Sequence, residues 1–267
     1  RFRGRLPIAA VFDTAFHVDM PASARTYAIP HELTQRHGIR RFGFHGIAIT
    51  SVLAEYAHRT GAHAADQRLV VLHLGSGASV TAIRGARGID TSMGFSPLEG
   101  LVMATRSGDL DPSLIPYLAR AEHTTADEVV RCLNQRSGLL GISGRSGDMR
   151  EIEQLRNGGD PRASLAFDLF AYRAKKHLAG MIAALGGVDA VLFSGGIGEN
   201  SAAARAAVCC GMEWCGVAID ASLNAQPARS GGRISPAEAR VGIHVVPADE
   251  ERIIARETCS LVTSSTA

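Results

Sequence analysis

The chain has 267 residues, 46% hydrophobic and 20% charged, with a formal net charge of +2. Such proportions suit a globular protein of one large or two small domains and give no basic field for nucleic acid. No apolar run reaches the roughly 20 residues of a membrane span, and no charged segment leads into an apolar signal-like run, so no membrane partner is expected. The five cysteines form no C-x-x-C pair. Cys209, Cys210 and Cys215 cluster without a histidine at ligand spacing, which predicts reduced thiols in a cytoplasmic protein. Trp214, the single tryptophan, is expected in the core.

The chain opens with "RFRGRLPIAAVFD", without a Met, and residues 7–12 read as a short buried strand. Residues 30–37 predict a short helix, and 47–59 a longer one stopped by Gly61. "RLVVLHLGSGASVTAIRG" is two β-branched-rich runs joined by Gly75-Ser76-Gly77, a hairpin signal. Residues 91–108 read as irregular, 112–121 and 125–135 as helices, the second opening on a T-x-x-E capping box. "GLLGISGRSG", 138–147, reads as a loop. Residues 160–185 predict the longest helix, ended by Gly186-Gly187. An apolar strand at 190–193 then breaks into Gly195-Gly196-Ile197-Gly198, followed by a helix over about 199–208, a strand at 240–246 and a last helix at 249–261. Hairpins mixed with helices argue an α/β fold without a regular βαβ array.

Polar groups concentrate in the irregular segments. Asp13 and His17 lie in "VFDTAFH", Arg40, Arg41 and His45 in "RRFGFHG", and His73 precedes the glycine hairpin. Asp90, Glu99, Arg106, Asp109 and Asp111 share one non-helical stretch. Each has a plainer reading: Asp13 as a turn cap, His45 as a core histidine, Arg106 and Asp109 as a surface pair of little worth. Together, glycine loops at strand ends, arginines, histidines and carboxylates fit the handling of phosphates and a divalent cation. For "SGGIGENS" the two readings are a tight strand-to-helix turn and a place where a nucleotide lies against bare backbone.

"VFDTAFH", "RRFGFHG", "HLGSGASV", "DTSMGFSPLEGLVMATRSGDLDP", "SGLLGISG" and "FSGGIGENS", in this order from about residue 11 to 255, resemble the acetate kinase family. The resemblance implies an RNase H-like (actin-like ATPase) fold in a two-domain kinase, with the active site in the cleft between domains. It also implies reversible phosphoryl transfer from ATP to acetate, giving acetyl phosphate and ADP, with Mg²⁺ (or Mn²⁺), in a cytoplasmic homodimer. By the same resemblance Asp13, His45 and Arg106 are catalytic, with Asp13 near the metal, His45 on the transferring phosphoryl group and Arg106 on the carboxylate and transition state. Phe44 and Pro97 flank the acyl group. His73, Gly75, Ser76 and Gly77 meet the β- and γ-phosphates. Asp148, Met149, Arg150, Gly196, Ile197, Gly198 and Asn200 surround adenosine and the α-phosphate, and Glu250 is linked to the metal.

The chain departs from the family pattern in places. Where the family reads FHGTSH, Ile47, Ala48 and Ile49 replace two hydroxyls and a histidine; Ser76 replaces an asparagine, and Ala104 a glycine. The family's opening N-x-G-S-S-S-x-K phosphate loop, a second arginine and part of the acyl pocket have no counterpart here. The expected organisation is therefore a remnant of the N-terminal acyl- and phosphate-binding domain at 1–16, a nucleotide-binding and dimerisation domain at 17–249, and a C-terminal helix at 250–267 that returns to the N-terminal domain. A propionate or other short-chain acyl kinase, and a truncated non-catalytic nucleotide-binding relative, stand as alternatives.

Overall fold

A computed structural model describes residues 8–264. The two apolar runs around the glycine turn form β1 (Arg68–Leu74) and β2 (Ala78–Arg84), paired antiparallel with His73 opposite Ser79. β2 returns as β3 (Arg87–Thr91), a strand not expected from "RGIDT", in which Ile89 is the one large apolar residue. β4 (Ala190–Ser194) and β5 (Gly242–Val245) join parallel to β1, giving a mixed sheet of order β3-β2-β1-β4-β5.

Alternation along each strand sends side chains to opposite faces, and both faces are covered. Val70, Leu72, Leu74, Val80, Val191 and Phe193 share one cluster with Phe167, Phe170, Ala174 and Leu178 of α8 (Pro161–Leu185). Leu69, Val71, Ile83 and Leu192 pack with Ile49, Val52, Leu53 and Tyr56 of the helix at Gly46–Thr60. Each buried Val, Leu, Ile or Phe side chain among these contributes about 1.5–3 kcal/mol by leaving water.

Two short helices, α1 (Ala22–Arg25) and α2 (His31–His37), precede that helix, which is α3 and ends on Gly61 in the left-handed conformation. Next come α4 (Leu114–Ala121), α5 (Ala126–Gln135), α6 (Gly138–Ser143) and α7 (Met149–Asn157), ahead of α8. α9 (Gly195–Asn200), α10 (Ala202–Cys209) and α11 (Ala221–Ala225) follow β4. α12 (Glu250–Ser264) packs on α3. The long helix is delimited as expected: the Asp160 side chain accepts from the N–H groups of Arg162 and Ala163, Pro161 opens the first turn, and Gly186 takes φ 68° at the end.

Several expectations need correction. Residues 8–12 form no strand, since among the described residues no neighbouring strand offers them a ladder, and Ile8 and Phe12 are exposed; residue 7 lies outside the described residues. The expected loop at 138–147 contains α6. Its first N–H groups are satisfied from elsewhere: Leu139 donates to Met103 O and Leu140 to Ala104 O, both at 2.9 Å. The glycine turn is itself helix α9, and the helix expected over 199–208 is divided at Ser201, whose hydroxyl accepts from Ala204 N to start α10. Only half of the capping box forms: Thr125 Oγ1 accepts from Glu128 N, while Glu128 pairs with Arg131. Trp214 is 74% exposed, on a 3₁₀ turn rather than in the core.

Candidate active site

A cleft of about 640 Å³ opens where β1 and β4 end. Gly75 and Ser76 line it from the hairpin, Asp148, Met149 and Arg150 from the start of α7, and Gly196, Ile197 and Asn200 from α9. Eight residues drawn from three distant segments thus converge on one cavity. Gly147, Ala104, Glu153 and Ser201 complete it. Glu153 was legible in hindsight as Arg150's neighbour three residues along one helix face, and Ser201 as the capping hydroxyl before an alanine run. The Ser201 hydroxyl donates to Glu153 Oε1, tying α7 to α10 across the cavity.

The three glycines of α9 have three different reasons. Gly195 has φ 75°, and a Cβ on it would lie 2.7 Å from Leu74 O; its N–H donates to Glu199 Oε1 at 3.0 Å. A Cβ on Gly198, which is buried and does not line the cleft, would meet Phe193 C at 3.4 Å. A Cβ on Gly196 would meet nothing within 4 Å, because Gly196 faces the open cleft. The fold therefore requires Gly195 and leaves Gly196 to whatever occupies the cavity.

Beyond Gly77 lies a second cluster. A Cβ on Gly77 would sit 3.1 Å from His45 Nε2 and 3.5 Å from Arg106 Nη1. Arg106 Nη1 donates to Pro97 O at 3.3 Å, so Arg106 is not paired with Asp109, which instead accepts from Gly100 N at 2.8 Å and lies 3.1 Å from His177 Nε2. The strap carrying Arg106 is fixed on both sides: Ala104 N donates to Ser76 O, and Gly138, at φ 60°, approaches so closely that a Cβ there would lie 2.2 Å from Met103 O.

His45 occupies the left-handed region, φ 62° and ψ 23°, at the start of α3. For a non-glycine residue that conformation costs on the order of 1–3 kcal/mol. Asp13 offsets it: Oδ2 accepts from His45 N at 2.7 Å, Oδ1 from Ile47 N at 3.2 Å, and the Asp13 carbonyl from Gly46 N at 2.9 Å. Asp13 is thus a cap supplied from outside the helix, placing an anion at the positive end of its dipole. The His45 ring lies 2.9 Å from Ser79 Oγ through Nδ1 and 4.7 Å from the His73 ring. Burial, with the neighbouring His73, pushes His45 down to about 4, so at neutral pH its ring is uncharged. His73 is lowered by burial too, and its Nδ1 is buried without a partner. Phe44 is half-buried against the core, and its carbonyl lies 2.9 Å from His17 Nε2. Ser79 and His17, which touch His45 and Phe44 in this way, were not foreseen as supports.

Charge is unevenly balanced around the cleft. Asp148 and Arg150 neutralise one another at 2.5 Å, which holds Asp148 below the usual carboxylate range. Glu250, at the start of α12, is raised by burial and then by the charge of Asp13. No group of three or more His, Cys, Asp or Glu among the described residues forms a metal cluster. Two mutually repelling carboxylates do fit Mg²⁺, which takes one or two protein oxygens and completes its shell with phosphates and water. The replacements beside His45 reach the core more than the cleft: Ala48 and Ile49 are fully buried. A further cavity of about 370 Å³, lined by Arg41, Asp90, Glu99, Lys176 and His177 among others, received no assignment from the sequence. No helix among the described residues is long and apolar enough to cross a membrane.

The β3-β2-β1-β4-β5 sheet, covered on both faces and with a glycine-lined cleft at the ends of β1 and β4, is that of the actin-like ATPase class, as expected. Sequence and structure comparisons narrow the class. The acetokinase family pattern matches residues 4–256. An acetate kinase of Streptomyces coelicolor is 51% identical over 263 residues, 98% of this chain and 64% of that protein. The crystal structure of Porphyromonas gingivalis acetate kinase superposes with a TM-score of 0.89 at 41% identity, covering 94% of this chain and 63% of that one. A propionate kinase from Francisella tularensis gives 0.86, also at 41%, covering 92% and 62%. The chain belongs to the acetokinase family. It spans about 62–65% of the length of the curated relatives it matches.

Proposed function

We propose that the protein transfers a phosphoryl group reversibly between ATP and acetate, as an acetate kinase. The observation that carries this reading is the convergence of Gly75, Asp148, Arg150, Gly196, Ile197 and Asn200 on one cleft, next to a His45–Gly77–Arg106 cluster, in a chain of this family. Adenosine lies between the starts of α7 and α9, where bare Gly196 admits it. The terminal phosphates run along the Gly75–Gly77 turn towards His45 and Arg106. Neutral His45 donates a hydrogen bond from Nε2 to the transferring group, and Ser79 at Nδ1 keeps that proton on the outer nitrogen. Arg106 brings the planar fork that matches a carboxylate or phosphate, and its fixed charge favours the transition state over the ground state. Phe44 and Pro97 hold the acyl group.

Asp13 and Glu250 are the groups that would hold Mg²⁺, which when bound neutralises phosphate oxygens. The 17–249 segment is the nucleotide-binding and dimerisation domain, with 1–16 and 250–267 belonging to a domain on the acyl side of the cleft. The whole works as a cytoplasmic homodimer. Propionate is the second reading, kept open by the Francisella tularensis propionate kinase, which matches at the same 41% identity as the Porphyromonas gingivalis acetate kinase. Trapping acyl phosphate with hydroxylamine, in the presence of ATP and Mg²⁺, tests both. Hydroxamate from acetate at a higher kcat/KM than from propionate supports the first reading. The reverse order supports the second, and ADP binding with no hydroxamate from either acid supports a non-catalytic nucleotide-binding relative.

A further inference from the structure

Arg205, on α10, is 1% exposed. Its Nε donates to Asn224 Oδ1 and its Nη2 to Asn224 O, both at 2.7 Å; its Nη1 donates to Gly198 O at 2.9 Å and Glu199 O at 3.0 Å. All four acceptors are uncharged. The nearby Glu199 carboxylate is turned away, accepting from Gly195 N. None of the ion pairs among the described residues includes Arg205. A guanidinium stays protonated in proteins, so the interior holds a full positive charge with hydrogen bonds but no counter-ion, an arrangement that is costly unless something repays it.

Its position suggests what does. Arg205 approaches α9 from the interior and binds the helix's last carbonyls, while the same helix lines the cleft with Gly196, Ile197 and Asn200. We propose that Arg205 is kept without a protein counter-ion so that its charge acts across α9 on the α-phosphate of a nucleotide in the cleft, the phosphate that lies nearest adenosine, the ligand being the missing anion. The inference rests on the nucleotide reading above and adds a supporting residue that touches no ligand. A helix is about 10 Å across. A unit charge at that distance, through an effective dielectric of about 20, changes a binding constant on the order of tenfold per ligand charge.

Removing Arg205 would confuse charge with folding, so the informative substitution is Asn224→Asp. It keeps the oxygen that Nε binds and supplies the counter-ion, but turns the Asn224 Nδ2 bond to Ala202 O into a contact between two acceptor oxygens. Asn224→Ala removes both side-chain bonds without adding charge, and so controls for lost hydrogen bonding. Calorimetric titration of the full chain without Mg²⁺ compares ADP with adenosine, which has the same base and sugar and no charge. For Asn224→Asp we expect ADP affinity to fall about tenfold, adenosine affinity to stay unchanged and the melting temperature to hold or rise. Asn224→Ala should keep ADP affinity within about threefold. Unchanged ADP affinity in Asn224→Asp, or equal losses for ADP and adenosine, overturns the inference. Failure of the unaltered protein to bind ADP removes the nucleotide reading itself, a distinct result. If Asn224→Asp does not fold, Arg205→Lys against Arg205→Met decides: a selective ADP loss in the methionine variant alone supports the charge, and equal behaviour refutes it.

Discussion

Gly195 and Gly196 are adjacent in one helix, yet valine at each should do opposite things. At Gly195 the backbone is left-handed and a Cβ would press to 2.7 Å from Leu74 O. The conformation alone costs a β-branched residue on the order of 1–3 kcal/mol, and the clash adds to it. At Gly196 the backbone is ordinary and nothing lies within 4 Å of the added carbon, so folding should change by no more than the about 0.5 kcal/mol typical of a surface position. The new methyls instead enter the cleft where adenosine is proposed to lie. If a steric conflict with the nucleotide resembles overpacking, it costs about 1–3 kcal/mol, or roughly 5- to 150-fold in apparent affinity. Urea denaturation, with KM measured separately for ATP and for the acyl acid, separates the cases. Gly195→Val should lose stability; Gly196→Val should keep it, raise KM for ATP and leave KM for the acid near its original value. Equal destabilisation by the two, or an unaltered KM for ATP in Gly196→Val, would refute the division of labour.

Other outcomes follow from the same geometry. Arg106→Ala should reduce kcat by on the order of 10³ or more while ADP still binds by calorimetry, and Arg106→Lys should recover little of the loss, because the planar fork is gone. His244 is buried edge-on against Tyr56 at 5.2 Å, and burial, with Arg233 and Arg59 nearby, pushes it down to about 4. Between pH 6.5 and about 4 the unfolded chain therefore binds a proton that the folded protein refuses. The stability associated with neutral His244 is complete above 6.5 and falls as pH drops through that window, by up to about 1.4 kcal/mol per pH unit for one proton. His244→Gln should flatten that slope in denaturation curves taken from pH 7 to 4.5, and an unchanged slope would assign the acid limb to other groups, His45 first among them.

The sheet's centre was readable because β1 and β4 are largely apolar runs, β2 is rich in apolar and β-branched residues, and the Gly75-Ser76-Gly77 turn announces itself. β3 was not, since its stability comes from pairing with β2 and not from its own pattern. α6 and α9 were hidden for a related reason. Their glycines argue against helix locally, but tertiary bonds to Met103 O and Ala104 O satisfy the first N–H groups of α6, and the Glu199 carboxylate within α9 accepts from Gly195 N, so these bonds outweigh intrinsic propensity. Of the site, the family resemblance names eight of the twelve cleft-lining positions. What they do not reveal is support: Ser79 against His45, Glu153 against Ser201, and Arg205 behind α9. Those contacts join residues 34, 48 and 7 positions apart across different elements, and no spacing rule along a strand or helix encodes them.

The most direct test of the account is a crystal structure of the full chain with ADP bound. Adenosine should lie between Asp148–Arg150 of α7 and Gly196–Asn200 of α9, with the phosphates against Gly75–Gly77 and pointing towards His45 and Arg106. A nucleotide seated instead in the cavity of Arg41, Asp90, Lys176 and His177, or one whose phosphates point away from Arg106, would contradict it.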